Sequence, residues 1–242
     1  MAAIAIYSLK GGVGKTTLAV NLAWAAATLS ARRTLLWDLD PQGGATFLLG
    51  AAPGARRQAR AIFTRDVAPA KLALPTAIDR LDLIPADISL RELDLTLHEL
   101  DKKKRLARLL EDNFAAYDRV LLDCPPGLTE TSQQVMRAAD LIIVPVIPSP
   151  LSTRAFEEIA AYLGAKSSAT LMPVHAMVDR RRKLHAEAIA AHPDWPAIPM
   201  ASIVEAMAAR RLPLGTYAPR SPAARAFADL WAAIERRLAA RR

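Results

Sequence analysis

The chain has 242 residues, 52% of them hydrophobic and 23% charged, with a formal net charge of +8 and one cysteine. That length holds one α/β domain with a substantial core, and the composition is that of an ordinary globular chain. The lone Cys124 excludes an intrachain disulfide, the run LIIVPVIP (141–148) is too short and proline-broken to span a bilayer, and no basic stretch precedes the first apolar residues, so a reducing cytoplasm is expected and a secretory signal is not.

Residues 3–7 read as a buried strand, and a glycine loop leads from it into an Ala- and Leu-rich helix over 15–29. Further strands are expected at 34–38 (TLLWD), 81–86, 119–123 (RVLLD), 140–146 and 170–178. Helical patterns lie between and after them at 89–115, 131–138, 151–164, 182–191, 202–210 and 222–240. Apolar runs alternating with helices predict an α/β fold, a mostly parallel twisted sheet with helices on both faces. Residues 50–80, rich in Ala, Pro and Arg, read as a surface excursion with at most a short helix. Nothing there has linker composition and no internal repeat appears, so residues 1–242 read as one domain. With the first strand at residue 3, no helix-turn-helix reader of specific DNA is expected ahead of it.

Ligands of open parallel sheets sit at the carboxyl ends of the strands, and this chain puts its distinctive residues there. The first strand runs into Lys10-Gly11-Gly12-Val13-Gly14-Lys15-Thr16-Thr17. Glycines let backbone N–H groups close around phosphate oxygens, and the following helix adds its positive end. Lys15 is placed to reach the β- and γ-phosphates and the Thr16 hydroxyl to ligate Mg²⁺. The standard phosphate-loop pattern is nevertheless broken, because residue 9, where its first glycine belongs, is Leu, and Lys10 is an extra lysine.

The second strand ends in DLDPQG (38–43), whose Asp38 and Asp40 point to the same side of an extended segment. Two like charges on one side need a cation or a polar network to answer them. Either acid alone also reads as a solvated turn residue. The strand at 119–123 closes on Asp123, the arrangement in which a carboxylate serves Mg²⁺. Cys124 reads as a packing residue, since no histidine lies near it in sequence.

KGGVGKTT (10–17), DLDPQG (38–43) and LLDCPPG (121–127), in that order, resemble the ParA/MinD family of deviant-Walker P-loop ATPases, and DLDPQ resembles its ParA side. The likeness extends to IIVPVIPSPLS (142–152) and IVEAMAARRLPL (203–214). The resemblance implies ATP with Mg²⁺ and a homodimer when ATP is bound. In it Lys10 reaches across to the partner's phosphates while Lys15 and Thr16 serve their own nucleotide. Asp40 would position the attacking water, Asp38 support the metal region, and Asp123 act as the Walker B acid. Branches that hold an iron–sulfur cluster or zinc need cysteines that this chain lacks.

The arginine-rich surplus of charge favours a polyanionic partner, although each basic pair alone reads equally as solvated surface. The family resemblance implies non-specific DNA, nucleoid association and a ParB-like or other cargo adaptor that stimulates hydrolysis. Candidate DNA contacts are Arg180, Arg181, Arg182, Lys183, Arg210, Arg211, Arg220 and Arg225. The alternative is a MinD-like membrane-associated regulator, with Phe227, Leu230, Trp231, Ile234 and Leu238 laid on anionic lipid. That stripe reads better as core, so a membrane partner is not expected.

Overall fold

This computed structural model describes residues 1–51, 59–64, 67–100, 104–164 and 169–241. β1 (Ala2–Ile6) leads into α1 (Lys15–Leu29), followed by β2 (Thr34–Asp38), α2 (Gly44–Leu48), α3 (Ala61–Thr64), β3 (Leu74–Pro75) and β4 (Leu81–Ile84). Next come α4 (Leu93–Leu100), α5 (Arg105–Asn113), β5 (Arg119–Asp123), α6 (Glu130–Ala138), β6 (Leu141–Val146) and α7 (Pro150–Gly164). β7 (Thr170–Val178), α8 (Lys183–Ala191), β8 (Ala197–Pro199), α9 (Ser202–Arg210), α10 (Leu214–Tyr217) and α11 (Pro222–Ala239) follow.

The strands form one eight-stranded sheet in the order β3-β4-β2-β5-β1-β6-β7-β8, with β3 antiparallel and the other pairings parallel. Period-two alternation explains why both faces are covered. Ile4 and Ile6 of β1, Leu36 of β2 and Leu121 of β5 face the layer made by α1, α9, α10 and α11. Ala3, Ala5, Trp37, Val120 and Leu122 face the layer of α3 to α7.

The mostly parallel sheet covered on both faces is as expected; several details differ. β3 and β8 have two and three residues, too few to show a period, and lie at opposite ends of the sheet. The single helix expected over 89–115 is a 3₁₀ turn (Ile88–Glu92), α4 and α5, with 101–103 outside the described residues. Its apolar stripe is interrupted between Leu100 and Leu106. The excursion at 50–80 contains α3 and β3, while its residues 52–58 and 65–66 lie outside the described residues.

α1 is sandwiched between the sheet and α11, so it is buried nearly all round and needs no apolar stripe. Its one buried amide is satisfied: Asn21 Nδ2 donates to the Thr17 carbonyl at 2.8 Å, and its Oδ1 accepts the Leu214 N–H at 2.9 Å.

α11 buries Phe227, Leu230, Trp231, Ile234 and Leu238 in the same layer. Trp231 Nε1 also donates to Ser30 Oγ at 2.8 Å. At its far end Glu235 accepts from Arg119 at 2.7 and 2.9 Å and from Arg32 at 3.1 Å, which ties the helix to the amino edge of the sheet. The stripe that a lipid-bound α11 would present is therefore already core. Among the described residues no helix is long and apolar enough to cross a membrane.

Trp231→Ala removes a side chain only 2% exposed and should lower the unfolding free energy by about 3–5 kcal/mol in urea titrations. A loss below about 1 kcal/mol would show that α11 is not holding the core.

Candidate functional site

Register brings the acidic residues together. In the β2–β5 pairing Asp38 lies opposite Asp123, and in the β1–β5 pairing Ile6 lies opposite Asp123. The tips of three adjacent strands thus end level, and the loop from β1 starts beside the two acids. Crossing bonds hold the tips, from Leu39 N–H to the Asp123 carbonyl at 2.9 Å and from Tyr7 N–H to the Ile143 carbonyl at 3.0 Å.

In the loop, Gly12 (φ 72) and Gly14 (φ 89) adopt left-handed backbone that disfavours a side chain. Gly14 is the N-cap of α1, with no side-chain cap and no acid in the first turn. Phosphate oxygens are the natural partners for such uncapped N–H groups and for the positive end of the helix. Gly11 and Gly12 are exposed while Val13 and Lys15 are buried. Lys15 Nζ donates to the Lys10 carbonyl at 3.2 Å, and Lys10 Nζ to the Leu151 carbonyl at 3.0 Å. Thr16 and Thr17 open α1, where a Cβ on Gly44 would lie 3.1 Å from Thr16 Oγ1, so α2 begins against that hydroxyl.

The three acids have different surroundings. Asp38 is fully buried and committed to protein donors. One oxygen accepts the N–H and hydroxyl of Thr46 at 2.8 Å each, the other the Asp40 N–H at 3.2 Å. Burial still pushes its pKa up to about 6 against those bonds. Asp40 is half-buried at the turn, its Oδ1 accepting the Gln42 N–H at 2.9 Å.

Asp123 is 0% exposed, and among the described residues neither carboxylate oxygen meets a hydrogen-bond partner at good geometry. Burial first, then Asp38, hold its pKa well above the ordinary carboxylate range, while the nearby Thr16 hydroxyl and Lys15 pull the other way. An orphaned carboxylate beside a hydroxyl and a phosphate-binding loop fits Mg²⁺, a hard cation that takes oxygen ligands and phosphates. Burial and the Asp123 charge raise the Cys124 thiol, which leaves it a packing residue.

Sequence reasoning missed one element. A cavity of about 210 Å³ beside the loop is lined by Val13, Gly14, Met177, Ile198, Pro199 and Met200. Its apolar walls suit a purine ring. They come from the end of β7 and from β8, a strand too short to read in the sequence; Met177 takes the uncommon left-handed backbone (φ 54) there.

The basic candidates lie at three places along the chain. Arg180, Arg181, Arg182 and Lys183 are exposed where β7 passes into α8; Arg210 and Arg211 end α9, and Arg220 and Arg225 flank the start of α11. Arg181 is locked to Asp179 at 2.9 and 3.0 Å and holds that carboxyl down to about 2. Arg210 lies over the Tyr217 ring at 4.8 Å and Arg211 over Phe47 at 4.4 Å. Arg180, Arg182, Arg220 and Arg225 take part in no ion pair among the described residues.

Residues 1–169 match the model of a family described as an AAA domain. The chain is 38% identical over 145 residues to the sporulation initiation inhibitor protein Soj of Bacillus subtilis, covering 59% of this chain and 57% of Soj. It is 40% identical over 147 residues to the chromosome partitioning protein ParA of Caulobacter vibrioides, covering 59% of this chain and 55% of that one. It thus spans little more than half the length of these relatives. A structure named as cobyrinic acid a,c-diamide synthase of Mycobacterium smegmatis, with bound ATP analogue and magnesium, superposes with a TM-score of 0.82 at 26% identity, covering 100% of this chain and 97% of that one.

Asp123→Asn tests the orphaned carboxylate. Because the folded pKa lies above the ordinary 3.8, the stability contributed by Asp123 is fully present below that pH and lost as pH rises through the folded value. The variant without nucleotide should therefore match the parent in acid and melt higher than it at pH 8, while losing the melting shift that Mg²⁺ with ATP gives the parent. A variant that melts lower at every pH would show that the carboxylate is structural.

Proposed function

The chain belongs to the ParA/MinD family of P-loop ATPases, and from that premise we propose that it positions or segregates a cargo by ATP-driven pairing on DNA. The observation that carries this reading is the level ending of β1, β2 and β5, with Asp38 and Asp123 in register beside a loop holding two lysines. The partitioning relatives, at 38 and 40% identity, outweigh the amide chemistry in the mycobacterial protein's name at 26%.

Each residue has a distinct task. Lys15 leaves the Lys10 carbonyl for the β- and γ-phosphates, and the loop N–H groups from Gly11 to Thr17 wrap them. Thr16 and Asp123 hold Mg²⁺, with Asp38 behind them keeping Thr46 and the Asp40 backbone in place. Mg²⁺, when bound, neutralises phosphate charge. Asp40, the acid of the set nearest to solvent, orients the attacking water. The purine lies against Met177, Pro199 and Met200. Lys10 of one subunit answers the phosphate charge of its partner, which couples pairing to hydrolysis.

Pairing doubles the basic contacts that can meet DNA phosphates at once, so ATP switches DNA binding through avidity. A ParB-like adaptor on the cargo accelerates hydrolysis and release. The protein works in the cytoplasm on the nucleoid.

Lys15→Ala should lose binding of a fluorescent ATP analogue. Asp40→Ala should bind it normally, lower ATP turnover by about 10²–10⁴-fold and accumulate as a DNA-bound pair. If the pair touches ~6–10 phosphates, its affinity for DNA should fall by about 10³–10⁵ between 50 and 200 mM salt. An Asp40→Ala protein that sediments as a monomer in saturating ATP would sink the reading.

A further inference from the structure

A second cavity lies at the end of the sheet opposite the phosphate loop, where the parallel strands begin. It holds about 340 Å³ and is lined by Arg32, Arg119, Asp140, Glu235, Leu238 and Arg241. These come from the α1–β2 turn, the start of β5, the turn before β6 and the end of α11. The volume is that of a small-molecule site, and three arginines share its wall with two acids.

The arginines are not equally committed. Arg119 is spent: its Nε and Nη2 donate to the two Glu235 oxygens at 2.7 and 2.9 Å, and its Nη1 to the Asp118 carbonyl at 2.8 Å. Burial pushes the Glu235 carboxyl up, but Arg119 and then Arg32 hold it below its ordinary range, so it is ionised. Asp140 Oδ2 accepts the Ala3 N–H at 2.8 Å, and the Asp140 carbonyl accepts from Arg241. Arg32 makes one longer bond to Glu235, at 3.1 Å, and its Nε–H is buried with no acceptor among the described residues. A buried donor left unmade is costly, and this one belongs to a group with one cation in excess.

The backbone that presents Arg32 is fixed. Ala31 takes left-handed backbone (φ 51), the Arg32 N–H donates to the Ala26 carbonyl at 3.0 Å, and the Arg32 carbonyl accepts the Thr34 hydroxyl at 2.9 Å. An orphaned donor held in a defined place suits a ligand that supplies the acceptor.

We propose that this cavity binds an oxyanion of the phosphate class, with Arg32 as its principal donor. An oxygen of the anion accepts the Arg32 Nε–H, and its charge offsets the surplus cation. The planar fork of a guanidinium matches phosphate geometry. Arg119 stays with Glu235 and shapes the wall. No aromatic ring lines the cavity among the described residues, so the ligand is held by charge and not by a base. The site does not rest on the ATP reading, because nucleotide is expected at the carboxyl ends of the strands and this anion at their amino ends. Its phosphate can come free in solution or from a DNA backbone.

Thermal melting against inorganic phosphate and pyrophosphate, with ionic strength held constant by NaCl, tests the site. A Lys15→Ala background keeps the phosphate loop from reporting. Both anions should raise the melting temperature, as ligands of the folded state do. Arg32→Gln, with native circular dichroism, should weaken the apparent affinity by about 10- to 100-fold, as for loss of a charge-assisted hydrogen bond. Ala239→Glu leaves Arg32 in place, adds a like charge to the cavity wall and should weaken binding similarly. Arg108→Gln, at an exposed arginine of α5, should leave it unchanged.

A melting temperature that rises no further in phosphate than in NaCl overturns the site. So does a rise that survives both Arg32→Gln and Ala239→Glu, since the anion then binds elsewhere. A labelled DNA duplex, added to nucleotide-free protein too dilute to pair, separates the two sources. Duplex binding that Arg32→Gln weakens and phosphate displaces assigns the site to a DNA backbone; binding that neither alters assigns it to a free anion.

Discussion

A carboxylate buried without a partner is the constraint around which this molecule is arranged. Asp123 lies at the tip of the central strand β5, in register with Asp38, and among the described residues neither of its oxygens is hydrogen-bonded. A lone buried charge is costly, and two acids side by side raise the cost. The fold resolves the pair asymmetrically. Asp38 is given Thr46 and the Asp40 N–H, so it becomes a fixed internal strut. Asp123 has the nearby Thr16 hydroxyl and Lys15 pulling against its burial, beside a loop where a cation and a phosphate chain would compensate it further. Strain of this kind is stability given up for a site that is complete only when loaded.

The rest of the architecture keeps that place dry and level. β1 sits between β5 and β6, so the loop that follows it emerges over the acids and not at an edge. α1 is buried nearly all round, and its amino end, with no side-chain cap, follows the loop as a preformed donor array. α11 closes over α1 and is pinned at the opposite edge by Glu235 between Arg119 and Arg32. In front of that packed layer the two lysines of the loop rest on backbone carbonyls, Lys15 on that of Lys10 and Lys10 on that of Leu151.

Legibility in the sequence followed length and periodicity. Long apolar strands and the Lys10–Thr17 loop were readable because they carry a pattern and a spacing. The tip acids were readable because a strand that ends on Asp shows its polarity change. β8 and the cavity it helps line were not readable, since three residues have no period and Met177, Pro199 and Met200 carry no chemical signature. The division of labour between Asp38 and Asp123 was also hidden. It depends on Thr46, eight residues beyond Asp38, whose role no motif marks.

Charge was the least legible of all, because a net value of +8 does not say which cations are free. In the run Arg180–Lys183, Arg181 is spent on Asp179, and Lys183 lies 3.8 Å from Glu187. Arg210 and Arg211 lie flat on aromatic rings, positions that keep the charge but restrict its reach. Of those eight candidates, Arg180, Arg182, Arg220 and Arg225 take part in no ion pair among the described residues. Exposed and outside ion pairs, those four are the candidates best placed to meet a polyanion. In the proposed switch a subunit that held DNA tightly alone would gain little from a partner. Contacts split across two copies would instead make occupancy depend steeply on pairing.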